Sequence, residues 1–484
     1  MMPARPGVAC VERNRAVPVD RLERINSWGN NASAMAYVFR PSTVEAAGEL
    51  FQLATRRRIP VVLRGGGCSY GDASLLAEAI CLDTTRMARI LAWDPTTGVM
   101  DVEPGVTFAA MWAASIGDGW WPPVVPGTMA VTAGGAASMN IHGKNNWRTG
   151  VFGEHILEAD LLSPDGTIHS LDSAAGSALM RAAIGGAGLL GLFTRLRIQM
   201  KRVHSGMLHV TPFATGSFEE TIAAFEARLD RADYLVGWVD CFTTGAHAGR
   251  TLAHEAAHLP EGLDREPAQT LRIDSQNLPD TLFGVLPKSL MWRLMRPMAN
   301  RLGVRALNAA RFGAAHGKTN SYRQSHAAFA FLLDYVPNWK RIYGARGLVQ
   351  YQSFIPLAEA AACFRRQIEV CHRLRLEPWL GVIKRHRADS FLLSHGVDGY
   401  SLALDIAVPA DWNRLARLAD ALNETVLKAN GRFYLAKDST LTPAAARAWL
   451  GDAALGQFLA HKQALDPGAV LQSALAHRIG LLAH

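Results

Sequence analysis

A fold of mixed helices and strands, α+β or α/β, is predicted by three features of the chain. Amphipathic stretches of helical period alternate with short apolar runs of strand length from Pro41 onward. A β-branched run, Val61-Val62-Leu63, feeds directly into the three glycines of RGGGCSYGD and reads as a strand ending in a loop. Glu154 to Leu171 reads as two strands folded about Ser163-Pro164-Asp165-Gly166, where Pro164 and Gly166 supply the turn geometry.

The first element is a helix in PSTVEAAGELFQLATRRR. Ser42 with Glu45 three residues on has the pattern of a capping box, and Val44, Ala47, Leu50, Phe51 and Ala54 share one face. Arg56, Arg57 and Arg58 sit where cations complement the negative end of the helix dipole. Through Pro60 the chain enters the strand and the glycine loop. Gly65, Gly66 and Gly67 carry no Cβ and tolerate positive φ, so their N–H groups can crowd around an anion such as a pyrophosphate; the same cluster also serves as an ordinary turn. Tyr70 stands where a dinucleotide fingerprint needs its third glycine, and no Gly-Lys-Ser/Thr closes a Walker A loop, so both of those motifs are excluded.

A second unit repeats the pattern, with GVMDVEPG as strand and turn, VTFAAMWAASIGDG as helix, and then WWPPVVPGTMAVTAGGAASMNIHGKN. After Gly185, Gly186, Gly188 and Gly191, LFTRLRIQMKRV reads as a strand, and the glycine-rich style ends near residue 206, where a domain boundary is expected. Residues 281 to 312 mix Leu, Met, Trp and Phe with arginines and a lysine but no acid, the composition of a basic amphipathic segment: a helix packed on its own domain, or a mobile lid or membrane-surface contact. Further on, LVQYQSFIP, PWLGVIKRH and GYSLALDIAVP read as strands of one sheet, with AEAAACFRRQIEVCHRLR as a helix between them. In the first of these, Gln350 and Gln352 alternate with Tyr351, so both point to one face and can hydrogen-bond a polyol together.

With 49% hydrophobic and 19% charged residues over 484 positions, the chain has the composition of a folded protein of about two domains. Its net charge of +8 suits an anionic substrate or a membrane surface, but the basic residues are scattered and no nucleic-acid motif accompanies them. Cys10, Cys68, Cys81, Cys241, Cys363 and Cys371 form no CxxC pair and no zinc-like spacing with histidine, which points to a reducing compartment. The letters H-E-x-x-H occur in HEAAH, His254 to His258, but they run into Leu-Pro without an apolar helix face or a third ligand, and no metal is expected. No apolar leader or spanning segment is found, so a soluble cytoplasmic protein that touches membranes at most is expected.

RGGGCSYGD, VPGTMAVTAGGAASMNIHGKN, ADLLSPDG and GGAGLLGLFTRLRI, spanning most of residues 60 to 200, resemble in order and spacing the FAD-linked oxidases of the vanillyl-alcohol oxidase type. IHGKN, LVQYQSFIP and YLAKDS extend the likeness to the branch of that family that oxidises decaprenylphosphoryl ribose as part of an epimerase. The resemblance implies an α+β architecture: a two-part PCMH-type FAD-binding domain, residues 1–206 and 432–484, around a substrate domain, residues 207–431, with a large antiparallel sheet flanked by helices. It implies a pyrophosphate against Arg64, Gly65, Gly66, Gly67, Cys68, Ser69, Tyr70, Gly71 and Asp72, and against Gly127, Thr132, Ala133, Gly134 and Gly135. Met139, Asn140, Ile141, His142 and Gly143 would flank the flavin, with Leu192 and Tyr434 as further contacts.

Two departures from the family pattern matter. Relatives with covalent flavin place a histidine in the first glycine loop, where this chain has Cys68, read as a small apolar filler; FAD is therefore expected to be held non-covalently. Ribose-oxidising relatives carry a cysteine in the active-site strand, where this chain has Ala403, which leaves flavin chemistry intact and the substrate open. Oxidation of an alcohol by flavin needs one base for the hydroxyl proton. Lys437 and His142 are the candidates, Lys384 is the neighbouring cation that would lower a lysine pKa, and Tyr70 would close the pocket; the lysines could instead stay cationic and bind phosphate or steady the reduced flavin. The activity implied is oxidation of a secondary alcohol of a sugar, cyclitol or (prenyl-)phosphate-linked sugar to a ketone by hydride transfer to flavin N5. A flavin-dependent reductase of a carbon–carbon double bond and a non-catalytic flavin-binding protein are the alternatives. Expected partners are a small sugar or sugar-phosphate substrate and a ketoreductase, with no nucleic acid.

Overall fold

The computed structural model of the chain describes residues 17–279, 281–282, 286–315 and 320–482; Cys10, the N-terminal stretch and residues 283–285 of the basic segment lie outside them. Helices and largely antiparallel sheets are mixed along the chain, an α+β fold. The first helix, Val44–Arg57, buries Ala47, Phe51 and Ala54 along one face. Its N-cap is Thr43, not Ser42: the Thr43 hydroxyl accepts from Ala46 N at 3.2 Å, so Glu45 stands one residue short of the position a capping box needs.

The glycine loop leaves the edge of a four-stranded sheet ordered Leu22–Asn26, Ser33–Phe39, Ile80–Asp83, Val61–Arg64, in which the last two pairings are parallel. That edge is closed by the C-terminal segment, with Val61 N donating to Val470 O (2.7 Å) and Gln472 N donating to Val61 O (2.9 Å). A buried ion pair locks the clip: Lys462 Nζ donates to Asp466 Oδ2 (2.5 Å) and Leu471 O (2.7 Å), while the carboxylate accepts from Val470 N and Leu471 N. A second, five-stranded antiparallel sheet runs Ile90–Asp94, Val99–Val102, Leu192–Gln199, Ile156–Leu162, Ile168–Asp172, and contains the predicted hairpin.

The third sheet is antiparallel and eight-stranded: Tyr322–Ser325, Met207–Thr215, Thr251–His258, Tyr234–Val239, Leu380–His386, Gly399–Ala407, Leu348–Pro356 and Arg432–Phe433. One face carries the amphipathic helices Leu357–Arg373 and Trp412–Lys428. Tyr351 Oη donates to Asn423 Oδ1 (3.1 Å) and Gln367 Nε2 to Ser353 Oγ (2.9 Å), so the odd-numbered residues of the Leu348–Pro356 strand face these helices. The period of two then turns Gln350 and Gln352 to the opposite face. On that face register aligns Gln352, Ala403, Val382 and Trp238 in one cross-strand row.

HEAAH lies inside the strand Thr251–His258, so its two histidines do not take the helical geometry of a zincin. The basic segment forms the helices Lys288–Met295 and Arg301–Ala315. The second is tied down by Asn308 Nδ2 donating to Asp240 Oδ1 (3.1 Å) and by the Arg301–Glu377 ion pair (2.6 Å), as a packed helix would be. Among the described residues no helix is long and apolar enough to cross a membrane.

Candidate active site

A cavity of about 610 Å³ opens between the glycine loops and the free face of the eight-stranded sheet. Arg64, Gly65, Gly66, Gly67, Cys68, Ser69 and Tyr70 line one wall, joined by Gly127, Thr132, Gly134, Gly135, Met139, Ile141, His142, Leu192 and Tyr434. Lys437, Lys384, Gln350 and Gln352 come from the other side. Five expected contacts do not line it. Gly71 is pressed against the Asp438 carbonyl, and Asp72 is held by Arg478 (2.7 Å), which also pairs with Asp438. Ala133 is core, its N–H donating to Val106 O (2.8 Å). Asn140 turns inward so that its Oδ1 accepts from Gly153 N (2.9 Å), and Gly143 abuts Asn145.

The loop wall fits a pyrophosphate. A Cβ at Gly65 would stand 2.2 Å from Thr132 Oγ1 and one at Gly66 2.3 Å from Ala130 O, so the two loops meet closely only because both positions are glycine. Gly67 has φ +64°. Among the described residues the N–H groups of Gly67, Cys68 and Ser69 donate to no protein acceptor, which leaves a row of donors on the cavity wall. The Cys68 thiol donates to Gly66 O (3.4 Å), and burial pushes its pKa up to about 11.

On the sheet side, strand alternation brings titratable groups together. Lys437 Nζ lies 3.9 Å from the centre of the Tyr70 ring. Burial, then the Lys384 charge, pull its pKa down to about 7, against the upward pull of Asp405 and Cys68. Burial brings Lys384 down to about 8. Asp405, buried beside Gln350, accepts from Gln350 Nε2 at 2.5 Å, and burial raises its pKa to about 6. Gln352 Nε2 donates to His142 Nε2 (3.1 Å) and Ser401 Oγ (3.3 Å), and Ser401 meets His386 Nε2 at 2.8 Å. His142 packs among His386, His395, Phe354 and Tyr434, and burial holds it well below its ordinary pKa. Lys144 Nζ donates to the carbonyls of Phe329 and, at 3.0 Å, Ala330. Asp334 accepts from Thr128 Oγ1 and Met129 N, both at 2.7 Å, and so fastens the Gly127 loop to the segment that covers the cavity.

Sequence reasoning had not singled out Asp405, Ser401, His386, His395, Trp238, Arg311 or Asp334. Asp405 left a signal, an acid alone in the apolar strand YSLALDIAV. His254 was set aside with HEAAH, yet it lines the cavity, as do Trp238 and Arg311.

Comparison with known proteins agrees with this geometry. A family described as an FAD binding domain matches residues 35–172. The chain is 30% identical over 473 residues to the decaprenylphosphoryl-beta-D-ribose oxidase of Mycolicibacterium smegmatis (strain ATCC 700084 / mc(2)155), covering 95% of this chain and 98% of the relative. It is 27% identical over 199 residues to a probable mitochondrial D-lactate dehydrogenase of Danio rerio, covering 39% and 40% of the two chains. A D-lactate dehydrogenase of Archaeoglobus fulgidus (strain ATCC 49558 / DSM 4304 / JCM 9628 / NBRC 100126 / VC-16) is 28% identical over 169 residues, 34% of this chain and 38% of that one. The fold and site are those of a flavin-dependent oxidoreductase. The chain belongs to the FAD-linked oxidases of the vanillyl-alcohol oxidase, or PCMH, type, and is an FAD-dependent enzyme of the oxidase and dehydrogenase class.

Proposed function

We propose that the enzyme oxidises a secondary alcohol of a sugar, cyclitol or phosphate-linked sugar to the ketone, with Lys437 taking the hydroxyl proton. The observation that carries this reading is the convergence of Lys437, Lys384, Gln350 and Gln352 on one cavity whose opposite wall is the glycine loop. The likeness to an oxidase of decaprenylphosphoryl ribose supports the sugar-phosphate class. The bound flavin supplies the acceptor for the hydride that leaves the carbinol carbon. As the C–H bond breaks, the O–H proton passes to Lys437 Nζ and the C=O bond forms. A lysine brought down to about 7 is half free amine near neutrality, the condition for a base at that pH. His142 is the weaker candidate, because its Nε2 already accepts the Gln352 amide proton and its own proton sits on Nδ1. Gln350, fixed by Asp405, and Gln352, fixed by His142 and Ser401, are left to hold the polyol hydroxyls.

Several finer readings go with this one. The FAD domain is built from residues 1–206 and 432–484 and the substrate domain from 207–431, supported by the C-terminal clip on Val61 and by seven strands of the large sheet between Met207 and Ala407, the eighth, Arg432–Phe433, opening the C-terminal segment. FAD is held non-covalently, since a thiol raised to about 11 offers little thiolate for attack on the ring. A ketoreductase would consume the ketone. Leu290, Leu294, Met298, Leu302 and Leu307 are exposed among Arg293, Arg296 and Arg305, which suits contact with an anionic lipid surface. The decisive test is Lys437→Ala in anaerobic stopped flow with a panel of sugars, sugar phosphates and prenylphosphoryl pentoses. Flavin content should be unchanged, and flavin reduction should slow by ~10²–10⁴-fold. Wild-type rates in Lys437→Ala, with loss in His142→Ala, would transfer the role to His142.

A further inference from the structure

At the far end of the cavity a second basic cluster stands apart from Lys437. Trp238 and His254 lie on neighbouring strands of the free sheet face, where His254 pairs across with Val236, and all three line the cavity. Arg311 descends from the helix Arg301–Ala315 and places its guanidinium carbon 4.6 Å from the centre of the Trp238 ring. The Asn308–Asp240 and Arg301–Glu377 ties hold this helix in place, so the guanidinium is positioned before any ligand arrives. No carboxylate among the described residues answers it. Arg311 as a whole residue is exposed, and the partial desolvation of its guanidinium draws it below its ordinary value; His254 is brought down to about 4 by burial, then by Lys144 and by Arg311. A guanidinium over an indole at the cavity wall, with no carboxylate partner among the described residues, is an arrangement that an anion completes.

We propose that Arg311, stacked on Trp238 beside His254, is the subsite for a phosphate group carried by the alcohol substrate. The inference rests on the proposed alcohol oxidation and adds the anchor that orients the substrate within it. Strand order sets the span. Trp238 stands one strand from Lys384 and three from Gln350 and Gln352, roughly 5 and 14 Å at the usual strand spacing. Long side chains from both ends narrow that interval, and a sugar set against Lys384 and the glutamines would turn its carbinol toward Lys437 and a phosphate substituent toward Arg311. Arg311 touches no reacting atom in this arrangement; it governs affinity and choice of substrate.

The test compares wild type with Arg311→Met and Arg311→Lys, each with flavin content measured first. Methyl β-D-ribofuranoside serves as the neutral alcohol, D-ribose 1-phosphate as a free phosphate monoester and a short-chain prenylphosphoryl ribose as a lipid-type diester. In anaerobic flavin reduction, Arg311→Met should raise the half-saturating concentration of phosphate-bearing alcohols on the order of 10- to 100-fold, the loss of one charge-assisted hydrogen bond. The limiting rate should hold, the neutral alcohol should be unaffected, and Arg311→Lys should recover part of the loss. A loss for the diester alone would assign the subsite to lipid-linked substrates, and an equal loss for both would assign it to phosphate as such. Equal weakening of neutral and charged alcohols, or no weakening, would overturn the proposal. If none of the three reduces the wild-type flavin, ribosides are not its alcohols, the alcohol-oxidase reading is decided by the wider panel, and the subsite is decided by binding: D-ribose 1-phosphate should perturb tryptophan fluorescence in wild type and not in Arg311→Met.

Discussion

Lys437 is held near neutrality by opposed neighbours, which makes its pKa adjustable in both directions. Burial is the largest cause of its fall from 10.5 to about 7, with Lys384 second and Asp405 and Cys68 pulling upward. Lys384→Met removes the repelling cation. Because burial remains and accounts for the larger part, the lift should be about one pH unit, the low end of what a close charge does. Asp405→Asn removes the attracting carboxylate and can keep the acceptor for Gln350, so it should move the value down by a similar amount. The free amine is the active form, so flavin reduction at sub-saturating alcohol should rise with pH through an acid limb near 7 in wild type. That limb should sit near 8 in Lys384→Met and near 6 in Asp405→Asn. At pH 7, where Asp405 is still ionised, Lys384→Met should be about fivefold slower than wild type and Asp405→Asn up to about twofold faster, following the fraction of free amine each limb leaves. Stopped-flow pH profiles at constant ionic strength measure this. Limbs that move in the same direction, or a limb that stays at 7 in both variants, would refute the assignment of the profile to Lys437.

Three further outcomes are expected. Lys462→Met strands the Asp466 carboxylate in a site where both side chains are 1% exposed; this should cost about 3–5 kcal/mol and lower the temperature of flavin release, read by flavin fluorescence during a melt. Acid precipitation should leave the flavin in the supernatant, because Cys68 is held as the thiol; colour in the pellet would show a covalent bond. The purified enzyme should sediment with anionic vesicles at low salt, release at high salt, and lose this when Leu294 and Leu302, 57% and 76% exposed, are both changed to Ser.

The parts of the site carried by local pattern were legible in the sequence. Three consecutive glycines after a β-branched run permit a close approach, which the structure then shows at Gly65 and Gly66, and Gln350-Tyr351-Gln352 announces a two-faced strand by alternation alone. The first helix was legible too, though its cap was displaced by one residue: Ser42 and Thr43 are both competent caps, and only the local backbone decides that Thr43 reaches Ala46 N. Nothing in the letters of HEAAH shows that they form a strand, and it is the strand that carries His254 to the cavity.

Residues whose role depends on register were not legible. Asp405 matters because it lies opposite Gln350, and Trp238 because Val382 and Ala403 carry the row from it to Gln352. These pairings join positions more than a hundred residues apart in the case of Trp238 and Gln352. Arg311 is harder still, because it is one arginine among several in a segment without acids, and nothing in the letters marks it as the one facing inward. The helix must first be pinned through Asn308 to Asp240 before the same face, three residues on, delivers a guanidinium to the Trp238 ring. The chemistry of this enzyme is therefore divided by physical origin. Cofactor contacts follow from backbone that only glycine permits, while the selection of substrate follows from a sheet face and a helix face that acquire meaning only once they meet.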